Sequence, residues 1–417
     1  MKIRILAGAV ALVSSLALSG CGLLPGADAD RSTVTVWLMK GSASQGFLDR
    51  FTASYEAEHP TVRLEFVLQE WGGIGPKVLK ALDSDDAPAV IEVGNTQVAQ
   101  YAESGGLRDL TLESLRDLGG EDWLPGLAEP GRINGAQYGI PWYAANRVVI
   151  YHKDLFAQAG ITEIPTTRDA WLDTTERLDT AGRQGIYLAG QNWYVLAGFI
   201  WDEGGELAED RGGDWRGALH SPAALRGMDF YRTLQGLGDG PKDADEQTPP
   251  ETDVFAGGSV AQIISVPGSA ALIEQQNPEL RGKLGYFPIP GKSARKPGAV
   301  FTGGSDLIVP EGAERRSEGV EIVKALAGTK WQTELARAMS YVPNKPALAG
   351  VVEGQEGTSA MAAGATQGRA TPGSPSWPAV EADNPIKPYM TAVLEGGDPA
   401  EEAKKASDRI SAKLGTG

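Results

Sequence analysis

Five acidic residues stand where the chain could assemble a general acid and a general base: Glu70, Glu92, Asp202, Glu203 and Asp306. Glycoside hydrolysis needs two carboxylates flanking the scissile bond, one of them held protonated. The chain has 54 Asp and Glu residues, however, so carboxylate pairs arise by chance and these five alone do not mark a hydrolase. Other chemistries have less support. No G-x-S-x-G, H-E-x-x-H or phosphate-binding loop occurs. Ser293-Ala294-Arg295-Lys296 has the form S-x-x-K but lacks the companion motifs that would give it meaning. His59, His152 and His220 are far apart, and Cys21 is the only cysteine, so neither a metal site nor a cofactor is expected.

Aromatic residues are better placed, and for recognition rather than reaction. The chain carries 10 Trp and 11 Tyr. Pyranose faces are apolar C–H surfaces ringed by hydroxyls, and they suit aromatic rings bordered by amides and charged groups. Trp71 follows Glu70 at the end of a run in which Val62, Leu64 and Phe66 alternate with polar residues. Asn95 follows the run Ala89 to Val93, and Met39-Lys40-Gly41 ends the run Thr33 to Trp37. Trp142 and Tyr143 follow Gly139-Ile140-Pro141. Each has a plainer structural reading, a core ring or a turn-forming amide.

These residues are positioned by elements that alternate. Thr33 to Trp37, Val62 to Phe66 and Ala89 to Val93 read as strands. Between them, Phe47, Phe51 and Tyr55 recur at helical spacing before His59-Pro60, and Lys77 to Leu82 looks helical; Thr96 to Ser104 forms a third helix. Strand and helix in alternation imply a doubly wound α/β sheet, whose ligands lie outside the carboxyl ends of the strands. Those ends carry Lys40, Glu70, Trp71 and Asn95. Pro141 fixes its own φ and offers no N–H, so an interior strand is expected to stop there, at the crossing into a second α/β region that opens with Val148 to Tyr151. In that region Gly185 to Ala189 reads as a short strand, followed by Asn192 and Trp193 at a loop or helix start and Trp201 on an apolar helix. Ser269 stands at the carboxyl end of a buried strand, and Val300 to Val309, with Gly303-Gly304, reads as a glycine-hinged second crossing. A helical pattern runs from Ser317 through Trp331 to Met339. Gly350 to Pro378 is expected to be mostly loop, carrying Arg369 and Trp377, and the last helix starts at Asp398-Pro399 with Glu401 at its third position.

At 417 residues the chain exceeds one ordinary core, and two domains are expected. The net charge of −16 argues against a nucleic-acid partner, which would call for a basic surface. Lys2 and Arg4 precede an apolar run from Ile5 to Leu18, the pattern of an export signal. It ends Leu18-Ser19-Gly20-Cys21, which resembles a lipoprotein lipobox, cut before Cys21 so that the thiol carries lipid.

The lipobox, Ala87-Pro88-Ala89-Val90 before Gly94-Asn95, Gly139-Ile140-Pro141 leading to Val149-Ile150-Tyr151-His152-Lys153-Asp154-Leu155, Phe255-Ala256-Gly257-Gly258, and Gly303-Gly304 before a Trp331 helix ending at Pro343 occur in an informative order. Together they resemble the sugar-binding solute-binding lipoproteins of bacterial ABC importers, extracellular solute-binding family 1. Ala89 and His152 stand where that pattern usually has Asp and Asn. The resemblance implies a two-lobe periplasmic-binding-protein clamshell, each lobe a mainly parallel sheet flanked by helices. Residues 1–20 would be the signal and 21–30 a tether; 31–141 with 305–345 would form one lobe, and 142–304 with 346–417 the other, hinge crossings included. It implies a monomer, lipid-anchored outside the cytoplasmic membrane, that holds a carbohydrate between its lobes and delivers it to a permease without turning it over. An oligosaccharide is favoured, because each ring covers about one pyranose face. Trp71, Asn95, Trp142, Asn192, Trp193 and Trp377 fall where this family often places ligand contacts. Lys40, Glu70, Tyr143, Trp201, Ser269, Gly303 and Arg369 complete the expected site. The competing readings are a lipid-anchored exported glycoside hydrolase and an acidic scaffold or adhesin.

Overall fold

The computed structural model describes residues 31–415 apart from Gly72 and Asp85. The expected signal peptide, tether and Cys21 lie outside the described residues. In chain order the elements that matter here are β1 (Ser32–Met39), α1 (Gln45–Glu58), β2 (Val62–Gln69), α2 (Ile74–Leu82), β3 (Val90–Gly94), β4 (Ile140–Asn146), β5 (Val148–His152), α3 (Trp193–Asp202), β6 (Gln262–Ser265), β7 (Leu284–Phe287), β8 (Val300–Ile308), β9 (Val342–Pro343) and β10 (Gly368–Arg369).

The first sheet has the order β9-β4-β8-β3-β1-β2, with β10 beside β8. Both of its faces are covered. Val34, Val36 and Leu38 of β1 face one apolar cluster and Met39 another, while Val90 and Ile91 of β3 divide in the same way. Strands buried on both sides carry apolar residues at successive positions instead of alternating with polar ones. α1 is capped by Ser44, whose Oγ accepts from the Phe47 N–H, and it lays Phe47, Phe51 and Tyr55 against the sheet. Trp331 meets Phe51 edge-on at 4.9 Å between ring centres.

The α/β two-lobe architecture matches the expectation; the strand directions correct it. β1 runs parallel to β2 and β3, but β8 runs antiparallel to both β3 and β4. It comes straight from the second lobe without a helical crossover, which a parallel partner would require. The second sheet, β6-β5-β7, is antiparallel throughout its ladder, joined by a parallel bridge from Tyr187 to Ile263.

Three local expectations also change. β4 does not stop at Pro141 but continues through it to Asn146, between β9 and β8. Pro141 pairs with Asp306 where the register shifts between Ser305 and Asp306, so the missing N–H falls at an irregularity in the ladder. Residues 350–378 are loop only in part: Glu356–Ala365 is a helix that packs Ala360, Met361, Ala362 and Ala365 into a core cluster. The helical stretch after 315 is two helices, Arg316–Ala327 and Thr329–Met339, broken at Gly328.

The crossing strands lie close together. Gly304 has φ +153°, and a Cβ there would meet the Tyr143 carbonyl oxygen at 2.1 Å, so glycine is required where β8 passes β4. Trp142 and Tyr143 pack in the first-lobe core, whereas Val148 and Ile150 join a different cluster. That second cluster also holds Leu124, Leu127, Ala336 and Val342 of the expected first lobe, so packing is continuous through the crossings.

Candidate functional site

Two ligand-sized cavities lie at opposite ends of α3. The first, about 640 Å³, is walled by Trp193 and Tyr194 at the start of the helix, with Gln191, Asn384 and Glu381 beside them and Gln97, from beyond β3, opposite. The second, about 370 Å³, is walled by Trp201 near the end of the helix, Trp215, Arg369 and Glu206, with Glu129 and Pro130 from the first lobe. Both fall in the size range of small-molecule sites, which favour interfaces between domains.

The sequence dictates this arrangement locally. Trp193 to Asp202 is almost continuously apolar, so α3 is buried nearly all round, with its ends free to meet the cavities. Gly198 lets it approach the crossing strand: a Cβ there would lie 2.6 Å from the Ala299 carbonyl oxygen. Trp193 packs on Tyr194 at 4.1 Å, and Tyr194 stacks on Phe301 of β8 at 4.2 Å. At the other end Arg369 makes a two-pronged pair with Glu206, at 2.9 and 3.0 Å, and its guanidinium lies 5.4 Å from the centre of the Trp201 ring. Burial raises the Glu381 carboxyl above its ordinary value, while the Trp377 indole donating to it at 2.8 Å acts in the opposite sense.

Of the expected site residues, Trp193, Trp201 and Arg369 line these cavities. Others are corrected. Trp142 is fully buried in the first-lobe core, and Trp377 is almost so in the second, its indole N–H committed to Glu381. Neither offers a ring face to a ligand, because each sits where a large apolar side chain fills the core. Asn95 is buried and its amide donates to the Gly126 and Thr302 carbonyls at 3.0 and 3.1 Å, so it ties the end of β3 to the crossing strand. Asn192 is fully buried before α3, behind the cavity wall. The Ser269 and Ser265 hydroxyls bond each other at 2.7 Å, away from both cavities. Gly303 lies in the β8–β4 ladder opposite Ala145. Lys40 and Glu70 form an exposed ion pair with each other, and Trp71, 43% exposed, stands beyond them; none lines either cavity.

Gln97, Tyr194, Trp215, Glu206 and Glu129 were not singled out in the sequence. Tyr194 was signalled by its neighbour Trp193, and Trp215 by the polar excursion that opens at Gly204-Gly205. Gln97 and Glu129 had no distinguishing signal.

Tyr143 belongs to a buried polar knot at the crossings. The Glu92 carboxylate accepts from the Met39 N–H at 2.7 Å, Ser42 Oγ at 2.7 Å, Ser305 Oγ at 2.6 Å and the Tyr143 hydroxyl at 3.2 Å. No cation faces it among the described residues. Burial outweighs these hydrogen bonds and pushes the carboxyl from 4.5 up to about 7. A raised carboxyl binds its proton more tightly in the folded state, so stability falls as pH rises from about 4.5 to about 7. The loss is on the order of 3 kcal/mol. Glu92→Gln should lessen that fall, as read by denaturant unfolding at pH 5 and 7.5, with the rest left to Glu251, which burial also raises to about 7. Equal losses in variant and native protein would show that Glu92 does not set the slope.

Residues 38–333 match the family model described as bacterial extracellular solute-binding protein. The chain belongs to that family. It is a solute-binding protein and not an enzyme, and among the described residues no helix is long and apolar enough to cross a membrane. It is 38% identical over 384 residues to the diacetylchitobiose-binding protein DasA of Streptomyces coelicolor, covering 92% of this chain and 90% of that one. The solved structure of the sugar-binding protein MalE from Xanthomonas citri superposes with a TM-score of 0.83 at 20% identity, covering 92% of this chain and 98% of that one. The GacH receptor of Streptomyces glaucescens, solved unliganded and with acarbose, gives 0.73 at 24%, covering 93% and 99%. At these identities the structural matches establish the clamshell fold of this solute-binding protein.

Proposed function

We propose that this solute-binding protein captures a carbohydrate, an oligosaccharide, between its lobes and delivers it to the permease of an ABC importer. The observation that carries the reading is the Trp193–Tyr194 wall facing Gln97 across the larger cavity, with Gln191 and Asn384 at its edge. Both faces of Tyr194 are taken, by Trp193 and by Phe301, so the cavity offers ring edges to a sugar and amides to its hydroxyls. The named ligand of the Streptomyces coelicolor relative, a disaccharide, is of the same class. Residues 31–141 with 305–345 act as one lobe and 142–304 with 346–417 as the other, closing about β4 and β8. The protein works as a monomer, held by lipid on Cys21 to the outer face of the cytoplasmic membrane.

The test is calorimetric titration of the domain from residue 31 onward with diacetylchitobiose and with maltodextrins. Tyr194→Ala should weaken the saccharide that binds by about 2 kcal/mol or more, roughly thirtyfold. Binding by none of them, or unaltered binding by a folded Tyr194→Ala variant, would remove this reading of the site. The anchor is tested separately: Cys21→Ala should shift the protein from the membrane to the soluble fraction, and continued incorporation of labelled fatty acid would count against it.

A further inference from the structure

Four oxygens meet in the knot at the crossing strands: Glu92 Oε1 of β3, Ser42 Oγ of the loop after β1, the Tyr143 hydroxyl of β4 and Ser305 Oγ of β8. All four side chains are buried. The hydroxyls of Ser42, Tyr143 and Ser305 lie 2.7, 3.2 and 2.6 Å from Oε1, and the Tyr143 hydroxyl lies 3.0 Å from each serine oxygen, which makes five contacts of hydrogen-bond length. A hydroxyl carries one proton, so the three hydroxyls supply hydrogens for three of the five contacts and leave two without one while Glu92 is ionised. The Met39 N–H already occupies Oε2, so a proton on the carboxyl belongs on Oε1, where it fills a fourth contact. Burial, which raises this carboxyl to about 7, acts in the same direction.

The groups around the knot do not replace that proton. Lys40, next to Met39, is exposed and paired with Glu70. Asp306, next to Ser305, points the other way, against Gly131 and Gly139, and burial raises its carboxyl well above the ordinary value. Tyr341 stacks on Tyr143 at 4.1 Å, and burial and the Glu92 charge raise both hydroxyls. The helix Arg316–Ala327 shares an apolar cluster with β3, and its Lys324 is held by Asp117 and Glu321.

We propose that this knot is a proton-dependent latch: with Glu92 protonated it fastens β4 and β8 to β1 and β3, and with Glu92 ionised it frees the crossing strands to move. The latch does not depend on what the cavities bind. Opening the knot admits water to Glu92 and returns its carboxyl toward the ordinary 4.5. The hold is therefore complete below about 4.5 and is lost as pH rises through about 7.

Hydrogen exchange of the full chain, read by mass spectrometry between pH 5.5 and 8.5 and expressed relative to the intrinsic rate at each pH, tests the latch. Peptides spanning residues 140–146 and 300–308 should lose protection by about tenfold or more across that range. Glu92→Gln, neutral at every pH, should reduce the loss to less than about threefold. Ser305→Ala removes a donor that favours the ionised carboxylate, so it should move the midpoint of the 140–146 loss to higher pH; this variant decides the matter if Glu92→Gln fails to fold. Protection that does not change with pH, the same loss in a folded Glu92→Gln variant, or an unmoved midpoint in Ser305→Ala would overturn the latch. A loss of equal size in the last helix, residues 399–414, which the knot does not touch, would mark unfolding of the whole chain and overturn it too.

Discussion

Trp142→Ala should cost about 3–5 kcal/mol of folding stability, because it empties a core position and leaves a cavity that the neighbours fill only in part. The indole is fully buried, 5.4 Å from the Tyr143 ring, among Phe47, Ile140, Leu307 and Leu335. Its surroundings are pinned from the other side too. Gln332 donates to the Trp142 carbonyl at 2.6 Å, and Asn344 donates to the Pro141 carbonyl at 2.9 Å. Relaxation into the void is therefore restricted, which puts the cost toward the upper end of the range. Denaturant unfolding of ligand-free protein measures it, and titration of the folded fraction should show affinity within a few-fold of native. A normal unfolding curve with weakened binding would return Trp142 to the cleft.

Arg168→Met should have an effect of similar size, for an electrostatic reason. Arg168 is buried, with guanidinium nitrogens 3.1 Å from both Asp202 and Glu203, and its guanidinium sits against both the Phe199 and Phe230 rings, at 5.1 and 4.6 Å from their centres. Arg226 and Lys292 also reach Glu203, but among the described residues Arg168 alone is paired with Asp202. Removing one member of a buried ion pair leaves the other desolvated, at a cost of about 3–5 kcal/mol. Asp202 is the last residue of α3, so the loosened end is the one that carries Trp201. Unfolding of Arg168→Met beside the double variant Arg168→Met/Asp202→Asn separates the cause. The double variant should recover part of the deficit, because the carboxylate left without its partner is gone; no recovery would assign the deficit to lost packing.

The fold was legible in the sequence wherever a local rule and tertiary packing agreed. The spacing of Phe47, Phe51 and Tyr55 before His59-Pro60 marked α1, and Asp398, which accepts from the Ala400 and Glu401 N–H groups, marked the last helix. Strand direction was not legible, because an apolar run such as Val300 to Ile308 reads the same whichever way its neighbours point. Pro141 misled because a single-residue rule cannot foresee the register shift that accommodates it. For the site, sequence distinguished aromatic from aliphatic residues but not a ring at a cavity wall from one in a core. Trp193 and Trp377 look alike in composition, and they differ through the company each keeps in space: Trp193 meets a cavity, and Trp377 meets Glu381.

The insertion of β8 between β3 and β4 also has a consequence for the order of events during synthesis. β1, β2 and β3 are complete by residue 94, yet the strand that seals the open edge of β3 starts at residue 300. At typical elongation rates those residues are joined on the order of 10–40 s later. Until then the edge of β3 has no partner from its own sheet, and the first lobe cannot finish folding however favourable its local contacts. A chain that must cross a membrane before it folds benefits from such a delay, because its N-terminal half stays loosely structured for most of the time it takes to make the whole.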